Sequence, residues 1–392
     1  MIRTAFVLPD RQRWTGGYQY FVNLFRVLKC YGGSRVHPVV FAAEDCPEED
    51  LSPLQTGIAE VVRAPWTGSG RRSPIGSILM TGIDRRALSA YREHGIQAVF
   101  ESAAWHGWRF PIPVIAWLPD FQHRNLASMF SRRAWWQREL GFRAQITTSA
   151  AIMLSSESAR DDCEKLYPGS AGKTDVIPFA VEPGDDAYTV SEDDVRARYG
   201  LSEPYFYLPN QYWRHKNHAV VIRALRILRD RGVSAMVVAS GASVDPRHPR
   251  LFESLVDQVK ELGLGEAFRF LRLIPRADVY ALMRGSIAVI NPSLFEGWST
   301  TVEESKAIGA PLVLSAIPVH REQTGGAAEY FDPMSPEDAA AAFSRAIDSA
   351  GKSAGVPTRS DAQASNLERL ECYARRIEGL IERVAANASV SG

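Results

Sequence analysis

Cysteine is scarce in this chain: four residues in 392, Cys30, Cys46, Cys163 and Cys372, with no CxxC and no paired spacing. That usage excludes a disulfide framework and a cysteine zinc site, and reads as reduced cytosolic thiols. Long apolar runs are missing too. No stretch approaches the roughly 20 apolar residues that a spanning helix needs. The run from Met1 to Leu8 is far too short for a signal peptide, so a cytoplasmic protein is expected. Charge of one sign is also lacking: 45 basic residues face 45 acidic ones, which removes any overall attraction to nucleic acid. HExxH, GxSxG and GxxxxGK[ST] are all absent, so zinc peptidase, serine hydrolase and P-loop NTPase readings lack support. The histidines show no metal-ligand spacing.

What is present is an ordinary globular composition, 45% hydrophobic and 23% charged, in a chain long enough for two domains. Charge is uneven within it. Between Val61 and Ala150 stand 12 arginines against 5 acidic residues. Among them are Arg71-Arg72, Arg85-Arg86 and the run Ser131-Arg132-Arg133-Ala134-Trp135-Trp136. Arginine beside tryptophan suits a surface touching anionic headgroups, and peripheral contact with the inner face of the cytoplasmic membrane is one expectation. The competing one is a solvated helix face with two partly buried tryptophans.

Two series of alternating strands and helices predict doubly wound parallel sheets in an α/β protein. In the first half, strands are expected at 4–8, 36–43, 98–102, 113–118 and 175–179. A loop with Gly16-Gly17 follows the first, then a helix with Phe21, Leu24, Phe25 and Leu28 on one face. The second half repeats the pattern, with strands at 205–208, 235–240, 268–274, 287–291 and 312–316 and helices at 218–229 and 251–262. The polar turn Glu182-Pro183-Gly184-Asp185-Asp186 reads as a hinge. The expected domains are therefore 1–182, a linker at 183–203, and 204–360. An amphipathic helix at 361–392 would pack back on the first domain through Leu367, Leu370, Tyr373, Ile377, Leu380 and Val384.

The most informative segment runs from Ile290 to Gly309 and includes Phe295-Glu296-Gly297-Trp298-Ser299-Thr300-Thr301-Val302-Glu303-Glu304. It follows an apolar strand and opens a helix that Gly309 can end. Gly297, Ser299, Thr300 and Thr301 stand where the helix starts, and free amides there, with the helix dipole, suit a diphosphate. Glu304, about one turn further, can accept hydrogen bonds from both hydroxyls of a ribose, as acidic groups do in dinucleotide sites. Glu296 would point beyond the phosphates. The bland alternative is a capped helix with solvent-facing glutamates.

This segment resembles the Glu-x7-Glu motif of retaining glycosyltransferase family 4, the glycosyl transferases group 1. Their GT-B fold sets two Rossmann-like domains across a cleft. Gly16-Gly17 resembles the family's glycine-rich first loop near the donor phosphates. Lys216-Asn217 resembles the lysine that neutralises the leaving diphosphate, and 313–322 resembles the strand and loop after the motif helix. The resemblance implies that Glu304 binds the donor ribose, that Glu296 contacts the transferred sugar, and that the amides of Ser299 to Thr301 face sugar or phosphate. The base would lie on the backbone at Leu273-Ile274. No metal or other cofactor is implied.

Two departures from the family pattern stand out. An arginine is common five residues before the lysine, where this chain has Gln211, and Arg214 is the expected substitute. A His-Asp pair is common after the strand at 113–118, where this chain reads Pro119-Asp120. Asp120 and His123 are then the candidates for the reacting centre, with His106 a weaker acceptor-side candidate. The expected activity is retaining transfer of a sugar, with a mannosyl donor such as GDP-mannose favoured. The acceptor would be a glycan or lipid-linked hydroxyl in bacterial O-antigen or capsule assembly. Alternatives are another GT-B reaction, such as phosphorolysis or epimerisation, and a silent sugar-nucleotide-binding protein.

Overall fold

The computed structural model describes residues 1–12, 14–55, 60–65, 75–101, 104–245, 247–350 and 359–390. Arg71-Arg72 and Ser102 lie outside them. The chain forms two compact units. The first comprises residues 1–123, 131–182 and 368 onward, and the second residues 124–130 and 183–367.

The first unit holds seven parallel strands: β1 Ile2–Val7, β2 Val36–Ala43, β3 Glu60–Ala64, β4 Ala98–Glu101, β5 Val114–Trp117, β6 Ala151–Leu154 and β7 Thr174–Val176. Their order is β3-β2-β1-β4-β5-β6-β7. β4 and β6 are buried at every residue, as a sheet covered on both faces requires. The helix Thr15–Tyr31 presses Phe21, Leu24, Phe25 and Leu28 inward. Phe21 and Phe25 meet Phe6 of β1 edge-on at 5.9 and 5.1 Å between ring centres.

The long helix Arg359–Val390 contributes its residues from 368 onward to this unit. There it buries Leu370, Tyr373, Ile377, Leu380 and Val384. Its buried Glu378 accepts from the backbone N–H groups of Gly33 and Arg35, so the helix also terminates the polar turn before β2.

The second unit holds six parallel strands: β8 Tyr205–Leu208, β9 Met236–Ser240, β10 Phe268–Arg272, β11 Val289–Asn291, β12 Leu312–Ser315 and β13 Glu329–Phe331. The order β10-β9-β8-β11-β12-β13 is that of a dinucleotide fold. Connectivity reverses between β8 and β11, and the loops at their carboxyl ends flank the crevice where such sheets bind ligands. The helix His218–Asp230 follows the first loop and Thr300–Ile308 the second.

Candidate functional site

The carboxyl ends of β8 and β11 bring 210–217 and 291–300 together. Leu294 N donates to His215 O at 2.8 Å, and the Asn217 amide donates to Pro292 O at 3.2 Å. Asn217 holds φ at +53°, a left-handed conformation that Asn tolerates and that turns the loop into its helix. Beneath the loops runs a buried polar chain. Asn210 Nδ2 donates to Asn291 Oδ1 at 3.0 Å, Asn291 Nδ2 to Ser299 Oγ at 2.8 Å, and Thr301 Oγ1 to Asn210 Oδ1 at 3.2 Å. Satisfied buried networks of this kind fix loop geometry.

On this base Lys216 Nζ lies 2.6 Å from Glu296 Oε1, and Ser293 Oγ donates to the same oxygen at 2.6 Å. Both charged side chains are largely buried, at 16% and 10% exposure. Burial pushes the Glu296 carboxyl up, but Lys216, first among the opposing groups and joined by His215 and His320, leaves it down at about 2. The neighbouring imidazoles stay neutral: burial pushes His215 down to about 3 and His320 to about 4. Lys216 is therefore the cation that this arrangement aims at Glu296.

The helix Thr300–Ile308 starts at Ser299, whose hydroxyl accepts from Val302 N, and ends on Gly309 at φ +74°. Of the three amides expected to face a donor, the first is already used. Ser299 N donates to Gln323 Oε1 at 3.0 Å, and Gln323 Nε2 returns bonds to Ser299 O and Glu303 Oε1. The Ser299 amide is thus engaged within the fold. The amides of Thr300 and Thr301 have no acceptor among the described residues. Thr300 is exposed, Thr301 turns its hydroxyl inward, and Gly297 is partly exposed in the preceding loop.

Glu304 sits one turn further in. Burial raises its carboxyl above the ordinary range, opposed by Arg276 and by a hydrogen bond from Tyr280. These partners lie at 3.5 and 3.4 Å, so neither carboxylate oxygen is taken by a short bond. The carboxylate keeps acceptor capacity for a pair of hydroxyls. Ile274 follows β10 with Leu273, which is 75% exposed, and neither backbone has a hydrogen-bond partner among the described residues. Arg214 is exposed, and its guanidinium makes no hydrogen bond or ion pair among the described residues.

In the first unit several expectations change. Gly16 and Gly17 lie in the first turn of the helix Thr15–Tyr31, not in a loop. A Cβ on Gly17 would meet the Trp14 indole at 2.4 Å, and that indole stacks on Trp117 at 5.5 Å, so Gly17 is needed for ring packing. Asp120 accepts from Gln122 N at 2.9 Å and lies 3.8 Å from Arg138, capping the short helix Gln122–Asn125 while remaining 28% exposed.

His123 turns inward: it is fully buried, with Nε2 3.3 Å from Glu139. Glu139 in turn takes Tyr167 OH at 2.7 Å and Arg143 Nε at 2.6 Å. Burial lowers the His123 imidazole, against the pull of Glu139, and its Nδ1 has no hydrogen-bond partner among the described residues. His106 is likewise internal, between Glu101 at 3.5 Å and Asp84 at 4.0 Å. Burial opposes its charge, but the two carboxylates raise it to about 9.

Sequence reasoning missed Ser293, Gln323, Arg276 and Tyr280. A hint was available for the network beneath them. A polar Asn ending the apolar β11, and another just after β8, are costly in a buried sheet unless they bond to one another. Among the described residues no group of three or more His, Cys, Asp or Glu could hold a metal ion, and no helix is long and apolar enough to cross a membrane.

Residues 192–361 match the family model described as Glycosyl transferases group 1. Among solved structures, sucrose-phosphate synthase from Thermosynechococcus elongatus is similar at 16% identity and TM-score 0.72, covering 99% of this chain and 100% of that one. HepE of Anabaena, in complex with UDP and glucose, has the same identity and TM-score, with coverage of 98% and 100%. WaaG, a glycosyltransferase involved in lipopolysaccharide biosynthesis, is similar at 16% identity and TM-score 0.61, with 98% of each chain covered. No match was found among curated proteins. The fold is that of the GT-B proteins, and the match to the family model lies in the second unit and its helices.

Proposed function

We propose that this chain is a retaining glycosyltransferase of family 4, moving a sugar from a nucleoside diphosphate sugar to an acceptor hydroxyl. The observation that carries the reading is the Lys216–Glu296 pair at the carboxyl ends of β8 and β11, beside the amides of Thr300 and Thr301. Lys216 would take the leaving diphosphate as the glycosidic C–O bond breaks, with the helix amides sharing its charge. Glu296, ionised well below neutral pH, would accept hydroxyls of the transferred sugar. Glu304 would hold the ribose, and the backbone at Leu273-Ile274 the base. Asp120 is the first-unit carboxylate left for acceptor or sugar, since its side chain is partly exposed.

The arrangement favours charge stabilisation over covalent catalysis. The one carboxylate beside Lys216 is committed to that cation and to Ser293, and departure with attack on the same face needs no protein nucleophile. No bound metal is invoked, because Lys216 and the amides supply the positive field.

Mannose is the sugar proposed first, with a glycan or lipid-linked acceptor in bacterial O-antigen or capsule assembly. WaaG, named for lipopolysaccharide biosynthesis, is consistent with that setting, while the UDP of HepE keeps uridine donors in the trial. Peripheral contact with the cytoplasmic membrane has support in the helix Arg132–Thr148, where Trp136 and Leu140 are 55% and 61% exposed beside Arg132 and Arg133.

The test is calorimetric binding of UDP, GDP, dTDP and ADP, then turnover with the matching sugars and NMR of the product anomer. One nucleotide should bind clearly better than the rest, and the donor configuration should persist. Binding without turnover would favour a silent sugar-nucleotide protein, and an inverted product would refute retention.

A further inference from the structure

The loop 209–217 has a charge deficit for the chemistry proposed above. Gln211 stands where a second cation would accompany Lys216, and Arg214 points to solvent without a partner among the described residues. The adjoining loop after β9 supplies a cation instead. The two loops touch through their backbones: Tyr212 N donates to Ala242 O at 3.1 Å. A Cβ on Gly241, at φ +155°, would meet Asn210 O at 2.5 Å, so only glycine permits this approach.

Arg247 stands in that loop. Its guanidinium carbon lies 5.7 Å from the Trp213 ring and 5.5 Å from the Phe130 ring. Aromatic faces at these distances orient and stabilise a cation. Asp245, 1% exposed, accepts from the Arg247 backbone N–H at 2.9 Å and from Nε at 3.3 Å, which sets the direction of the side chain. Trp213 in turn lies 5.7 Å from His215, the residue before Lys216. The Arg247 side chain keeps 31% exposure, so a ligand at the loop can reach it.

We propose that Arg247 provides the second fixed positive charge for the diphosphate, in place of the arginine missing at position 211. The assignment rests on the glycosyltransferase reading. When the glycosidic C–O bond breaks, its electron pair passes to the diphosphate oxygen. A guanidinium already oriented by Asp245 and two rings stabilises that charge without reorganising. Arginine also presents a planar fork that matches phosphate oxygens.

The experiment compares Arg247→Gln, Arg247→Lys, Arg214→Gln and the double variant Arg247→Gln/Gln211→Arg. Readouts are kcat and KM with the donor that the wild type turns over, calorimetric Kd for UDP and GDP, and thermal midpoint. Arg247→Gln should lower kcat about a hundredfold and weaken the bound nucleoside diphosphate about tenfold, losses that persist at temperatures well below any midpoint lowered by the unpaired Asp245. Arg247→Lys should recover part of kcat, and restoring arginine at 211 should recover most of it. A wild-type kcat and Kd in Arg247→Gln would overturn the assignment. So would a loss that tracks the thermal midpoint and is not rescued by Gln211→Arg, or a comparable loss carried by Arg214→Gln alone. A wild type that neither binds nor turns over any nucleotide sugar would remove the underlying reading as well, which separates the two failures.

Discussion

Replacing Lys216 by methionine keeps most of the side-chain volume and removes one charge from a largely buried pair. Against the effect of burial, Lys216 leads the groups, His215 and His320 among them, that bring the Glu296 carboxyl from an ordinary 4.5 down to about 2. That difference corresponds to about 3 kcal/mol in favour of the ionised form. Because the folded value is depressed, the contribution is complete above pH 4.5 and is lost as pH falls through 2. At pH 7 Lys216→Met should therefore cost about 3 kcal/mol, or roughly 6–12 °C in the midpoint of the second unit at about 2–4 °C per kcal/mol. At pH 3 the gap to the wild type should shrink to about 1 kcal/mol, because only about one pH step of the depression still operates there. Differential scanning calorimetry at both pH values reads the gap directly. Adding Glu296→Gln should return most of the loss at pH 7, since the neutral amide needs no cation. A gap under about 2 °C at pH 7, or one that does not narrow on acidification, would refute the claim that this pair is tightly coupled.

Three further outcomes follow from the same geometry. Glu304→Ala should raise the nucleoside diphosphate Kd at least about tenfold, and wild-type affinity would end its ribose role. Since burial raises this carboxyl, affinity in the unaltered protein should fall on acidification at a pH above the ordinary glutamate range. His106 is raised from 6.5 to about 9 by Asp84 and Glu101 against the cost of burial, so its charge stabilises the first unit fully below pH 6.5, and that contribution is lost as pH rises through 9. His106→Gln should flatten this alkaline decline in thermal midpoint, and an unchanged slope would contradict the charged assignment. Trp136→Ser with Leu140→Ser should lower co-sedimentation with vesicles containing phosphatidylglycerol while leaving nucleotide binding intact; equal sedimentation would clear that helix of a membrane role.

Much of the second unit was legible because its signals are local. β8 and β12 are short apolar runs buried at every residue, which a parallel sheet between helices demands. The helix Thr300–Ile308 carries its own start and stop, Ser299 and Gly309, ten positions apart in one segment. β3, β6 and β13 were not read, and the reason is physical. β3 and β13 are partly buried edge strands that carry Glu60, Arg63 and Glu329, and only two residues separate β6 from the helix Arg132–Thr148, so no clean apolar run or boundary marks them.

Side-chain direction is where local reading stops. His123 occupies a post-strand position that suits catalysis, yet it turns inward because Glu139 and Tyr167, from a later helix and loop, build an acceptor for it. Ser299 gives its amide to Gln323, 24 residues on, so a donor at the motif helix would meet Thr300 and Thr301 instead. The same non-locality accounts for Arg214 and Arg247. Proximity in sequence favours Arg214 as Lys216's companion, but a cation three residues from a turn is free to point at solvent. Arg247 is thirty-one residues from Lys216, yet the contact of Gly241 with Asn210 and the ring of Trp213 hold it beside the same loop. A charge that must stay fixed while a diphosphate departs needs such packing more than it needs adjacency, because orientation paid for in folding is not paid again at the transition state.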